Sequence, residues 1–159
     1  MKIHKVVSAA VVGLTLMGCG TKYQDMGFTG GVAAKQMSAD VFRIEARANS
    51  YTGKNTVQDY MLLKAAETTK SAGKTHFILI NSTDASSTAS IVNEGSATTR
   101  FNGNTAETTY SPATVSHFFK PGADAYIRVI SILPGKETPA GAISADEIIQ
   151  FVGTRVQRG

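Results

Sequence analysis

Tryptophan is absent from this 159-residue chain, proline occurs four times and cysteine once. A single cysteine excludes an intramolecular disulfide and a cysteine-rich metal cage. Charge is also sparse: 18% of residues are Asp, Glu, Lys or Arg, and the formal balance is +4. Basic residues are scattered singly, with no stripe to track phosphates, so nucleic acid is not an expected partner. The apolar run at 6–18 holds 13 residues, short of the roughly 20 needed to cross a bilayer as a helix. What is present, 42% hydrophobic residues over this length, suits one globular domain.

Lys2 and Lys5 precede the 6–18 run. A basic start followed by an apolar segment of this size is the pattern of a secretory signal peptide. A buried N-terminal helix is the competing reading, and the position of the cysteine disfavours it. Leu16-Met17-Gly18-Cys19 resembles the lipobox of bacterial lipoprotein precursors, in which a small residue precedes the cysteine that becomes the mature N-terminus. Met17 departs from the small or β-branched residues commonest there. The resemblance implies peptidase cleavage between Gly18 and Cys19, a diacylglycerol thioether on the Cys19 sulfur, and a further acyl chain on the new amino group. A thiolate is the natural nucleophile for that thioether. One acyl chain binds membranes only marginally, on the order of 10⁴ M⁻¹, so the two or three implied here make a stable anchor. Gly20 stands where an Asp would favour inner-membrane retention; the resemblance therefore implies an outer-membrane, periplasm-facing location.

Removing residues 1–18 leaves 141 residues with 14 basic and 12 acidic side chains, a balance of +2. Segment 19–31 contains four glycines and reads as a flexible tether ahead of a single domain at 32–159. Alternation of Phe42, Ile44, Ala46 and Ala48 with Arg43, Glu45, Arg47 and Asn49 predicts a strand with one wet face. Those charges could hold an anionic ligand, but a solvated face whose charges offset one another is the preferred reading. A helix is expected over 56–72, with Thr56 at the N-cap, Asp59 three residues on, and Gly73 as the stop. Its stripe of Val57, Met61 and Ala65 predicts a core face; Tyr60 and Leu63 fall on the polar side and predict contact with a second element.

Phe77-Ile78-Leu79-Ile80 predicts an internal strand. Fifteen of the 36 residues in 81–116 are Ser or Thr, marking an insert at about 83–120. Within it 96–101 and 104–110 flank Asn102-Gly103, a type I′ hairpin signal that would set Phe101 opposite Asn104 and Arg100 opposite Thr105. Residues 83–90 are expected to be mobile. Ile127, Val129, Ile130 and Ile132 predict a further strand, and Ser144-Ala145-Asp146-Glu147 is a capping box opening a short C-terminal helix. The expected class is α+β: a mostly antiparallel sheet of about four to six strands with one main helix on one face and a short C-terminal helix.

Several landmarks occur together: Gly30-Gly31, Phe42-Arg43-Ile44, Asn49-Ser50-Tyr51-Thr52, the run from Asp59 to Glu67, Phe77-Ile78-Leu79 and Ala145-Asp146-Glu147-Ile148-Ile149. This combination resembles a family of small proteobacterial envelope lipoproteins, over about 30–82 and 125–156. No catalytic residues carry over from that family. The resemblance implies that His76 is structural and leaves Asn49 and Tyr51, with Tyr60, as candidate contacts to a ligand or partner. Turn formation explains Asn49 and Tyr51 as well.

Catalytic patterns are missing. No nucleophile elbow surrounds a serine, no His-x-x-x-His or acidic cluster suggests a metal, and no glycine pattern cradles a phosphate. No cofactor is expected. The expected function is a noncatalytic binding or interaction module, anchored to the membrane through acyl chains on Cys19 and contacting an envelope protein. Two alternatives stay open: a small envelope hydrolase whose site, with His76 or His117, assembles only in the fold, and a carrier of a small apolar ligand. An exposed patch around Tyr60 and Leu63 would favour the interaction module.

Overall fold

A computed structural model describes residues 19–103 and 105–159; the expected signal peptide at 1–18 lies outside them. The elements run β1 (Gly31–Gln36), β2 (Val41–Arg47), α1 (Lys54–Ser71), β3 (His76–Asp84), β4 (Ser87–Asn93), β5 (Ser96–Asn102), β6 (Thr105–Ser111), β7 (Thr114–Lys120), β8 (Gly122–Ile130), β9 (Ala142–Ser144) and α2 (Ala145–Phe151). The class is α+β with antiparallel pairing throughout the named strands. The strands do not form one sheet. Five make a sheet of order β1-β2-β8-β3-β9, and the other four make two separate pairs, β4-β7 and β5-β6.

The alternation in β2 works as the sequence predicts. Ile44 and Ala46 are fully buried while Arg43, Glu45 and Arg47 stay half-exposed on the other side. Helix α1 lies across the inner face, touching β1, β2, β8 and β3, and α2 packs beside it. Phe77, Ile44, Leu63 and Ile127 are the largest side chains wholly out of water, each contributing about 1.5–3 kcal/mol of transfer free energy. Alanines 46, 65, 66 and 125 are also fully buried; side chains this small let the helix backbone settle close to the sheet.

Three local expectations shift. Helix α1 starts at Lys54, not at Thr56, and Gly53 is its N-cap with no side-chain hydrogen bond. Thr52, the residue before that N-cap, accepts a hydrogen bond from Thr21 N at 2.8 Å. The 83–90 tract, expected as a mobile stretch, holds regular structure: it ends β3, turns at Ala85 and Ser86, and opens β4. In the β5-β6 hairpin Arg100 lies opposite Glu107 and Phe101 opposite Ala106, two positions beyond the expected pairing, and Asn102 pairs with Thr105. Gly103, at φ 61°, takes the first loop position, where a positive φ costs glycine nothing; the shift also faces opposite charges across the strands.

The N-cap half of the α2 capping box forms as the sequence predicts, Ser144 Oγ accepting from Glu147 N at 3.4 Å. Segment 19–31, expected to be a free tether, is instead packed. Thr21 and Tyr23 are 6% exposed, Tyr23 bridges to Arg158, and Asp25 bridges to Val32. Gly30 and Gly31 make this possible. At φ 104° and 135° they take backbone forms that other residues rarely adopt. A Cβ on Gly31 would lie 2.5 Å from Asp25 O, and one on Gly30 would strike Arg47 O.

Candidate functional site

A dense polar network surrounds the backbone just after Cys19. Asn49 ends the strand region as the first residue of a turn in which Thr52 N donates to Asn49 O at 3.2 Å. Its Oδ1 accepts from Tyr51 N at 3.1 Å and from Thr52 Oγ1 at 3.0 Å, an arrangement typical of Asn at a turn. That leaves Asn49 Nδ2 free to donate to Cys19 O at 2.8 Å. Asn49 N in turn donates to Thr21 Oγ1 at 2.9 Å.

Thr21 is the centre of this clamp. Its N–H donates to Thr52 Oγ1 at 2.8 Å, its hydroxyl donates to Thr29 O at 2.8 Å, and its carbonyl accepts from Tyr60 Oη at 2.7 Å. Every polar group of this buried residue is therefore paired, as burial demands. Two residues further on, Tyr23 N donates to Gln157 O at 2.8 Å and Gly159 N donates to Tyr23 O at 3.0 Å. The Tyr23 ring meets Tyr60 edge-on at 5.6 Å, and Arg158 lies over its face at 5.1 Å. Tyr23 Oη donates to Glu67, whose other oxygen accepts from Arg158 at 2.8 Å. Burial, then the hydrogen bond and charge of Glu67, push the Tyr23 phenol far above its ordinary range. Burial alone raises Tyr60.

Of the residues singled out in the sequence, the structure brings Cys19, Asn49 and Tyr60 around the same short segment: Asn49 donates to Cys19 O and Tyr60 donates to Thr21 O. Tyr60, 2% exposed, and Leu63, fully buried, do contact further elements, as their position on α1 predicts. They do so inside the molecule, so an exposed patch there does not exist. Tyr51 donates only its N–H to the clamp and leaves its ring 74% exposed. Thr21 carries as much of the clamp as Asn49 yet has no local sequence signal: its partners Thr52 and Tyr60 lie 31 and 39 positions away in the chain.

Cys19 itself is exposed. Beside it, Met26, Phe28, Asn49 and Lys120 line a shallow open cleft of about 230 Å³. Phe28 is completely exposed, so together with Tyr51 it gives the Cys19 end of the molecule two solvated aromatic rings.

The outer face of the sheet carries Arg43, Glu45 and Arg47. Arg43 Nη2 meets Asp124 at 3.0 Å, Arg47 meets it at 2.5 Å, and Glu45 is held by Lys35 at 3.2 Å and Arg43 Nε at 3.1 Å. Burial would raise the Asp124 carboxyl, but hydrogen bonds from Arg47 and Arg43 prevail and hold it below the usual range. These charges pair with one another, in line with the solvated-face reading, while Arg43 Nε lies close to Glu45 without making a hydrogen bond.

A second cleft of about 290 Å³ opens between the first half of α1 and the outer ends of β3 and β8, floored by Val57, Met61, Leu79 and Ala123. At its mouth Lys54 pairs with Asp84 at 2.9 Å, and the Asp84 carboxyl lies far below its usual range because Ser86 and Lys54 hydrogen-bond it. It is not the enclosed apolar cavity a carrier requires. Neither histidine lines it. His76 Nδ1 contacts Thr75 Oγ1 at 2.9 Å, and His117 Nδ1 contacts Ser90 Oγ at 2.8 Å on an exposed two-stranded ribbon. Neither has a carboxylate hydrogen-bonded to it among the described residues, so the orienting third member of a hydrolytic triad is missing. No group of three or more His, Cys, Asp or Glu suited to a metal occurs among the described residues. No helix among them is long and apolar enough to cross a membrane. Comparison of the chain with models of known protein families, with curated proteins and with solved structures gave no match.

Proposed function

We propose that this chain is a lipid-anchored envelope protein, outer-membrane and periplasm-facing, that acts as a noncatalytic interaction module seated flush on the bilayer. The lipobox-like Leu16-Met17-Gly18-Cys19 suggests the anchor, and the observation that carries the seating is the clamp on Cys19 O and Thr21. With Thr21 immobile, two residues of chain allow an anchored Cys19 about 7 Å of reach. The lipid would then hold the Asn49–Thr52 turn at the headgroup level. Phe28 and Tyr51 project there, and aromatic rings favour that depth; Lys120 in the adjoining cleft suits an anionic surface. A tethered domain would tumble freely above the membrane, whereas a clamped one presents a fixed face to its partners.

The test is fractionation of cells expressing the wild type and Cys19→Ala, with fatty-acid labelling and density separation of the two membranes. The wild type should carry label and sediment with the outer membrane, and the variant should be unlabelled and soluble. Membrane retention of Cys19→Ala with label still entering the chain elsewhere would refute the anchor. Sedimentation of a labelled wild type with the inner membrane would refute the location alone. Spin labels placed beside Phe28 and Tyr51 on the anchored protein should report burial at headgroup depth, and free aqueous exposure of both would refute the seating.

A further inference from the structure

Strands β3 to β8 form one long hairpin. From Asn81 opposite Tyr126 out to Asn102 opposite Thr105 the two limbs keep a single unshifted register. The ladder pauses beside Pro112 and Pro121, which lack the N–H a ladder needs. Beyond the five-stranded sheet the hairpin continues as an arm, 87–120, of about 50 Å at about 3.3 Å per residue, touching the body at its base, where Lys54 lies over Phe119.

Every described residue of β5 and β6 is exposed. Two strands alone are marginal in water, and three or more are ordinarily needed. Free strand edges are usually guarded by charged side chains, Lys above all, by Pro or by a bulge. Strands β5 and β6 contain no Lys or Pro, and their register shows no bulge. No further strand pairs with either among the described residues. One face of this ribbon carries Phe101 and Tyr110, 79% and 77% exposed, opposite Ala106 and Ala97. The other face carries the ribbon's two charges, Arg100 opposite Glu107.

We propose that the arm is an assembly element for further copies of this chain, β6 of one copy pairing antiparallel with β5 of the next. The charges favour a second copy as the occupant. With Arg100 set against the neighbour's Glu107, charges alternate in sign along the widened sheet, and the ribbon contributes no net charge to oppose association. The same register brings Phe101 beside the neighbour's Ala106 and Tyr110 beside its Ala97, large against small as within each hairpin. Because the contact joins two different edges, it repeats from copy to copy and either closes into a ring or extends.

Sedimentation of the full chain in mild detergent, over a range of concentrations, tests this. The wild type should form assemblies larger than a dimer. Arg100→Glu, on an exposed side chain, should raise the concentration for half-assembly about tenfold, since cross-strand charge pairs change from attractive to repulsive. The exchange Arg100→Glu with Glu107→Arg should restore it. Thr98→Cys chains mixed with Thr109→Cys chains should cross-link through a short thiol reagent, while Thr98→Cys alone should match the wild-type control, whose single cysteine is Cys19. A monomer at every concentration would overturn the proposal. So would cross-linking of Thr98→Cys to itself, which means β5 pairs with β5, or a monomeric chain whose arm gains protease protection only from phospholipid vesicles, which assigns the arm to a membrane.

Discussion

Replacing Tyr60 with Phe removes one oxygen and keeps the ring. The ring's edge-on contact with Tyr23 and its place on α1 are unchanged, so the variant reports the clamp and not the packing. What is lost is the 2.7 Å hydrogen bond to Thr21 O, and the carbonyl left behind belongs to a residue only 6% exposed. A buried acceptor stripped of its partner costs about 1–3 kcal/mol, more than the hydrogen bond's net worth, because water cannot replace the phenol. The loss should reduce the free energy of urea unfolding by that amount with the denaturant slope unchanged. Amide exchange at Thr21 and Asn49 should quicken more than at Ile44 or Phe77. Tyr60→Ala, which also deletes the ring, should cost about 3–5 kcal/mol. If Tyr60→Phe unfolds like the wild type while Tyr60→Ala is strongly destabilised, the ring packs but the clamp does not form, and the rigid seating of Cys19 fails with it.

Other outcomes follow from the same network. Gly31→Ala should cost at least about 2 kcal/mol in chemical unfolding, since its φ is strained for any side chain and the obstacles are the backbone oxygens of Gln24 and Asp25; an unchanged midpoint would mean the 24–32 segment does not close as described. Tyr23 holds its proton more tightly folded than unfolded, so its contribution is intact below the unfolded value of about 10 and is lost as pH rises above it. Urea unfolding should therefore show stability falling as pH rises above about 10, less steeply in Tyr23→Phe; equal slopes would refute the raised Tyr23 phenol that burial and Glu67 produce. Replacing 87–120 with Asn-Gly should leave the stability of the five-stranded domain within about 1 kcal/mol, because a two-stranded ribbon contributes little to a core it does not enter; wholesale loss of folding would show that the arm is part of the core.

Much of this architecture was legible before any coordinates. The period-two pattern of β2, the apolar run of β3, the Ser144 capping box and the existence of a hairpin near Asn102-Gly103 are carried by residues within a few positions of one another. The antiparallel α+β class follows from them, and so does Cys19 as the candidate anchor, a pattern of four adjacent residues. Where local signals left a choice, geometry settled the matter: Gly103 took the positive φ at the first loop position and the hairpin register moved with it.

The clamp lay beyond that reach. Thr21 is an unremarkable residue in a glycine-containing stretch that reads as a tether, and its partners Thr52 and Tyr60 lie 31 and 39 positions away. Only folding brings α1, the Asn49 turn and the N-terminal segment to one place, where burial obliges each polar group to find a partner. Tyr60 illustrates the difference. Its helical position correctly placed it against a second element, but whether that element belonged to this chain or to another molecule depended on where residues 19–23 ran. Local spacing dictates the strands and helices; which surfaces remain free depends on long-range contacts, and these turned a presumed linker into the part of the molecule that holds Cys19.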